Sequence, residues 1–174
     1  MCWLFNIASL FLFMFIEIYK IRSFKDLNLF WDMFDKYINH IFKALPSNKE
    51  DLNYFLSKDY RDSVIELSER DFNPLNIVFF KDKDIVLGFA TYIIYIDERG
   101  KSIILEYCIN EEYRNNGFGK FSYKLLEHTM RMEGSKYIEL TPTNKRNESF
   151  WKSLGYKESM VFYEDGRCIL KKVF

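Results

Sequence analysis

Between residues 102 and 132 the chain reads SIILEYCI, then NEEYRNNGFGK, then a run whose apolar residues recur at helical spacing. A strand that passes through a glycine-containing loop into a helix constrains the fold strongly. The helix must cross back over the sheet, so the next strand, YIELT at 137–141, is expected to lie parallel to the first in a βαβ unit. The same feature is an anion site by construction. The first N–H groups of a helix have no partner inside it, and the helix dipole adds about half a positive charge there. Gly117 and Gly119 lack a Cβ, so a phosphate can approach the backbone, and Arg114 and Lys120 supply cationic charge nearby.

The rest of the chain supplies a sheet for this unit. IEIYKI (16–21) alternates apolar and polar residues as a strand does. Ser23 can cap a helix to about His40, with Phe24, Leu27, Phe30, Phe34 and Ile38 at helical spacing. Ser47 opens a second helix toward Leu56, residues 60–70 read as a third, and Asn73-Pro74 stops it. The period then changes to that of strands. NIVFF (76–80), a polar turn at 81–84 and IVLGFATYIIYI (85–96) lead through Asp97-Glu98-Arg99-Gly100 into residues 102–109. Residues 118–132 are expected to be helical, with Phe118, Phe121, Leu125, Thr129 and Met132 along one side. A short helix at 147–154 ends at Gly155, and a closing hairpin pairs 156–163 with 168–173 around Asp165-Gly166. The expected fold class is mixed α/β (α+β): a mostly antiparallel central sheet, one parallel βαβ unit and flanking helices.

No repeat or Pro/Gly/Ser-rich linker divides the 174 residues, so one domain is expected at 16–174, preceded by an apolar extension at 1–15. That extension has neither the basic n-region nor the small-residue cleavage site of a signal peptide, and Glu17 and Lys20 close it too early for a spanning helix. It reads as a loose extension upstream of Met14, a membrane-associated helix or a docked structural element. Zero net charge without a run of one sign gives no footprint for nucleic acid, and no nucleic-acid partner is expected. Cys2, Cys108 and Cys168 have no metal-ligand spacing and no even count, so no metal is expected and a reducing, cytoplasmic setting is the default.

Three kinds of nucleotide site use such a loop. A Walker A loop would need Gly where Arg114 stands and Ser or Thr where Phe121 stands. A dinucleotide fingerprint would use Gly117 and Gly119 but meets Ser122 in place of its third Gly. Too little chain follows to complete two mononucleotide halves. The run Ile109–Gly119 resembles instead the acetyl-CoA signature of GCN5-related N-acetyltransferases (GNAT): Arg or Gln, two residues, Gly, one residue, Gly, after an apolar strand. IVLGFA (85–90) resembles the family's strand with a central Gly, and NKRNESFWKSLGY (144–156) its later segment of spaced Asn, Ala, Tyr and Gly. The resemblance spans about residues 16–174.

The resemblance implies a fold and a chemistry. The backbone of Arg114, Asn115, Asn116, Gly117, Phe118, Gly119 and Lys120 would hold the pyrophosphate of acetyl-CoA as co-substrate. Tyr107, Cys108 and Ile109 would pair like a strand with the pantetheine arm, which Asn144 would also bond. The chain departs from the family pattern twice: Asn147 stands where a small Ala is usual, and Trp151 stands where a Tyr often protonates the departing thiolate. An indole N–H is a donor but no useful acid.

An amine must lose a proton before it attacks a thioester. Glu106, a charge within an otherwise apolar strand, is the candidate base, or else a solvated or salt-bridged strand carboxylate. A strand N–H such as that of Ile109 could stabilise the oxyanion, and Tyr156 and Tyr163 are either proton donors or packing residues. The expected activity is acetyl transfer to a primary amine, small-molecule or peptide, by direct attack. The alternative is a non-catalytic acyl-CoA-binding sensor or interaction module. A membrane partner is not expected, a homodimer is compatible with the sequence, and residues 23–72 are expected to line the acceptor side.

Overall fold

The computed structural model of the protein describes residues 15–43, 49–162 and 166–174. Ser47, Tyr163, Asp165 and the apolar stretch 1–14 lie outside them. β1 (Ile16–Lys20) is followed by α1 (Phe24–Lys43), α2 (Lys49–Phe55) and α3 (Lys58–Ser68). Ser23 caps α1 reciprocally: the Asp26 N–H donates to Ser23 Oγ at 3.1 Å, and the Ser23 hydroxyl donates to Asp26 Oδ2 at 2.7 Å. Ser57 Oγ accepts from the Tyr60 N–H at 3.2 Å and so starts α3.

Beyond Pro74 come β2 (Asn76–Asp82), β3 (Ile85–Tyr95) and β4 (Lys101–Ile109). A 3-10 turn at Glu111–Tyr113 precedes α4 (Phe118–Met132), β5 (Tyr137–Leu140), α5 (Lys145–Ser153), β6 (Lys157–Phe162) and β7 (Cys168–Val173). The strands form one seven-stranded sheet in the order β1-β2-β3-β4-β5-β7-β6. Neighbours are antiparallel except β4 and β5, which are parallel as a βαβ crossover through α4 requires. No helix among the described residues is long and apolar enough to cross a membrane.

The sheet is covered on both faces. α4 and α5 bury one face through Phe118, Tyr123, Leu126, Met130 and Trp151, and α1 and α3 bury the other through Phe30, Trp31, Phe34, Ile38 and Val64. Two expected stripes are corrected here. On α1, Phe24 is exposed and the buried row runs from Phe30. On α4, Met132 is exposed and the buried row is Phe118, Ser122, Tyr123, Leu126 and Met130, turned by about one residue from the expected one. Periodicity of apolar residues could not place Ser122 and Tyr123 inside. The Tyr123 hydroxyl is accommodated there by donating to that of Tyr156 at 3.0 Å.

β3 and β4 each carry a bulge. The β2–β3 register steps from Phe80↔Gly88 to Lys81↔Val86 and leaves Leu87 over; the β3–β4 register steps from Thr91↔Glu106 to Tyr92↔Ile104 and leaves Leu105 over. A bulged residue reverses the alternation beyond it and bends the strand. Ile104 therefore faces α4 while Glu106, two residues on, shares the opposite face with Phe89 and Cys108, under α1.

Candidate active site

β4 is much longer than its parallel neighbour. β5 pairs with Lys101, Ser102 and Ile103 and ends at Leu140, whereas β4 continues to Ile109. Pairing stops at Ile103, and the wedge beyond the end of β5 is a β4 edge over residues 104–109 that β5 does not pair. Gly88 sets how closely β3 follows this part of β4. A Cβ at Gly88 would lie 2.1 Å from the Cys108 carbonyl oxygen and 2.9 Å from the Ile109 Cα. Both are backbone atoms, so only Gly fits.

The glycine loop follows directly on the end of this β4 edge and leads into α4. Asn115 and Gly117 adopt left-handed backbone, φ 63° and 83°, turning the chain from the 3-10 turn into α4. Gly117 occupies the N-cap position and offers no side-chain cap to the first turn. The Arg114 guanidinium turns away from that turn: Nε donates to the Ile109 carbonyl at 2.8 Å, and Nη1 lies 3.7 Å from Glu111. Lys120 and Asn116 are exposed on the loop and first turn. His40 of α1 reaches Glu111 at 2.8 Å and ties that helix to the loop.

Behind the loop lies an aromatic block. Tyr107 donates to the Gly119 carbonyl at 2.6 Å, stacks on Phe150 at 6.0 Å and meets Trp151 edge-on at 5.3 Å. Trp151 is only 3% exposed, and its indole N–H donates to Asn147 Oδ1 at 3.1 Å. Asn147 Oδ1 also accepts from the Thr143 N–H at 3.2 Å. The two departures from the family pattern are thus one feature: Asn147, one turn ahead of Trp151, satisfies the indole that replaces a phenol. Asn144 is the N-cap of α5, its Oδ1 accepting from the Asn147 N–H at 2.9 Å. Beside it opens a cavity of about 320 Å³ lined by Thr143, Lys145, Arg167 and Cys168 among others.

On the other face of β4, burial raises the Glu106 carboxyl to about 7, while a hydrogen bond from the Tyr37 hydroxyl pulls it the other way. Such a carboxylate is matched to taking a proton near neutral pH. Burial pushes the Cys108 thiol up to about 11, against the opposing pull of Arg114, so it stays protonated and is no nucleophile at neutral pH. Tyr156 is 2% exposed, burial raises its hydroxyl, and that hydroxyl accepts from Tyr123 in the core. His128 is exposed, and no cluster of metal-ligand type occurs among the described residues.

Sequence reasoning singled out Glu106 but missed its neighbours, Tyr37 and Tyr60. The signal was present: Tyr37, half-buried, follows the buried Phe30 and Phe34 at helical spacing on α1, and a phenol packed against a core needs a polar partner.

The family model described as acetyltransferase (GNAT) family matches residues 31–156. No curated protein matches the chain in sequence. Among solved structures, the PaiA N-acetyltransferase of Thermoplasma acidophilum, in complex with coenzyme A, is similar with a TM-score of 0.71 at 20% identity, over 92% of this chain and 100% of that one. An acetyltransferase from Thermus thermophilus gives 0.66 at 13%, over 92% and 98%. The ribosomal-protein-S18-alanine N-acetyltransferase of Escherichia coli gives 0.60 at 14%, over 91% and 93%. At these identities the likeness is one of fold.

Proposed function

The chain belongs to the acetyltransferase (GNAT) family, and on that premise we propose that it moves the acetyl group of acetyl-CoA to a primary amine by direct attack. The observation that carries the reading is the wedge beyond the end of β5 with the glycine loop following directly on its β4 edge. The pantetheine arm lies along Tyr107, Cys108 and Ile109, whose edge β5 leaves unpaired. The pyrophosphate meets the backbone of residues 114–119 and the amino end of α4, where the dipole favours negative charge. The charge there comes from the backbone and from Lys120, since the Arg114 guanidinium braces the end of β4. Asn144 borders the arm from the far side of the wedge.

Glu106 takes the proton from the incoming ammonium. The freed nitrogen attacks the thioester carbonyl carbon, a β4 amide such as that of Ile109 stabilises the oxyanion, and the C–S bond then breaks. Trp151 cannot protonate the thiolate, and its N–H is already engaged by Asn147. The thiolate therefore leaves unaided, which its pKa of about 8.5 allows. Direct transfer agrees with a Cys108 that stays protonated. The cysteine usage supports a cytoplasmic setting.

The test is incubation with acetyl-CoA and a panel of primary amines while free thiol is followed. Thiol release that depends on an amine and saturates is the expected result. Acetyl-CoA binding without turnover on any amine would make the protein a binding module instead.

A further inference from the structure

An ionised carboxylate away from water is costly unless a cation or several donors face it. Among the described residues, burial and the single bond from Tyr37 account for the state of Glu106, and no cation acts on it. Of the groups on the packed elements, the Tyr37 phenol on α1 bonds it, and the Tyr60 phenol on α3 and the protonated thiol of Cys108 on β4 itself lie near enough to feel its charge. The bulge at Leu105 turns this carboxylate toward the Tyr37 hydroxyl.

The rings pack on one another from this point toward the surface. Tyr37 stands edge-on against Phe89 at 5.6 Å, and Tyr60 stacks on Phe34 at 5.4 Å. Tyr60 then meets Phe55 at 5.0 Å and Tyr54 at 5.5 Å, and Tyr54 is 54% exposed. Aromatic faces attract cations, and more strongly once these are desolvated. A carboxylate at the inner end completes an environment that favours a compact positive charge and repels a negative one.

We propose that Tyr54, Tyr60 and Tyr37, ending at Glu106, form the acceptor subsite, and that it selects a small unbranched primary amine arriving as a cation. This rests on the acetyltransferase reading above. The ammonium gives one proton to Glu106, and the nitrogen lone pair forms the new C–N bond. The thioester C–S bond breaks with its electrons on sulfur. The second nitrogen proton then leaves to water, and the thiolate takes up one from solvent. Tyr37 is a positioning residue, holding the carboxylate through its hydroxyl.

The experiment compares n-butylamine with glutamate as acceptors, in the wild type and in Tyr60→Leu, Tyr60→Phe and Tyr37→Phe. Wild type should favour n-butylamine strongly. Tyr60→Leu should raise the butylamine KM by about three- to thirtyfold and leave the acetyl-CoA KM unchanged, while Tyr60→Phe, which keeps the ring, stays near wild type. Tyr37→Phe removes the bond that lowers the Glu106 pKa, so the acid limb of kcat/KM should move to higher pH, a change that loss of packing alone would not produce. Equal turnover of glutamate overturns the subsite, as does a butylamine KM or an acid limb that these variants leave in place. If the wild type turns over no amine at all, the acetyltransferase reading falls and the subsite with it.

Discussion

Replacing Glu106 by Gln keeps the size of the side chain and removes the proton acceptor, so kcat/KM should fall by about 10²–10⁴. With Glu106 as the proposed base, the wild-type rate should climb as pH passes through about 7. Stability moves the opposite way. The folded-state pKa lies above the ordinary carboxyl value of 4.5, so the folded protein holds this proton more tightly than the unfolded chain. The contribution is fully present below pH 4.5 and is lost as pH rises through about 7. Glu106→Gln should therefore melt at or above the wild type at about pH 8, with the gap closing in acid. A lower melting temperature at alkaline pH would reveal a paired, structural carboxylate. Asn147→Ala should cost about 1–3 kcal/mol in denaturant unfolding, because it strands the buried Trp151 N–H and the Thr143 N–H together. Glu106 could be singled out in the sequence because a charge inside an apolar strand stands out, and the structure adds its raised carboxyl pKa, while its role as base is the proposal above. The partnership of Asn147 with Trp151 was not, since Asn in place of Ala reads as a mild change until the indole is seen to donate to it.

Elements differ from residues in what the sequence reveals about them. The strands, the crossover helix over 118–132 and the closing hairpin all follow from period and turn residues, and the structure has them within a few positions. The bulges at Leu87 and Leu105 do not follow. An inserted residue leaves composition and turn signals untouched while reversing every side chain beyond it, so alternation alone would have put Glu106 beside Ile104. Gly88 belongs with these bulges. Gly88→Ala would drive its methyl into the Cys108 carbonyl and the Ile109 Cα, which cannot step aside without moving β4. It should cost about 1–3 kcal/mol of stability and weaken acetyl-CoA binding, because the same backbone lines the wedge. Chemical denaturation and calorimetry on one preparation would read both; a variant as stable as the wild type and binding as tightly would mean that β4 is free to shift.

For the whole molecule, family membership rests on a match that runs from α1 to the end of the Gly155-Tyr156 segment, and the solved relatives share the fold over nearly the full chain. The co-substrate was readable because the family's acetyl-CoA signature needs Gly and free helix amides in a fixed order. The proposed acceptor subsite was not, because it consists of ordinary aromatic side chains brought together from three helices, and placement is a property of packing. Both sides depend on the wedge receiving acetyl-CoA with its pyrophosphate on the loop. Calorimetric titration of acetyl-CoA into the wild type and into Gly117→Val tests this most directly. Valine resists the left-handed backbone of that position, φ 83°, and places a side chain where the phosphates approach. The wild type should bind one equivalent, and the variant, folded by circular dichroism, should bind at least about tenfold more weakly. Equal affinity in the folded variant would contradict the account.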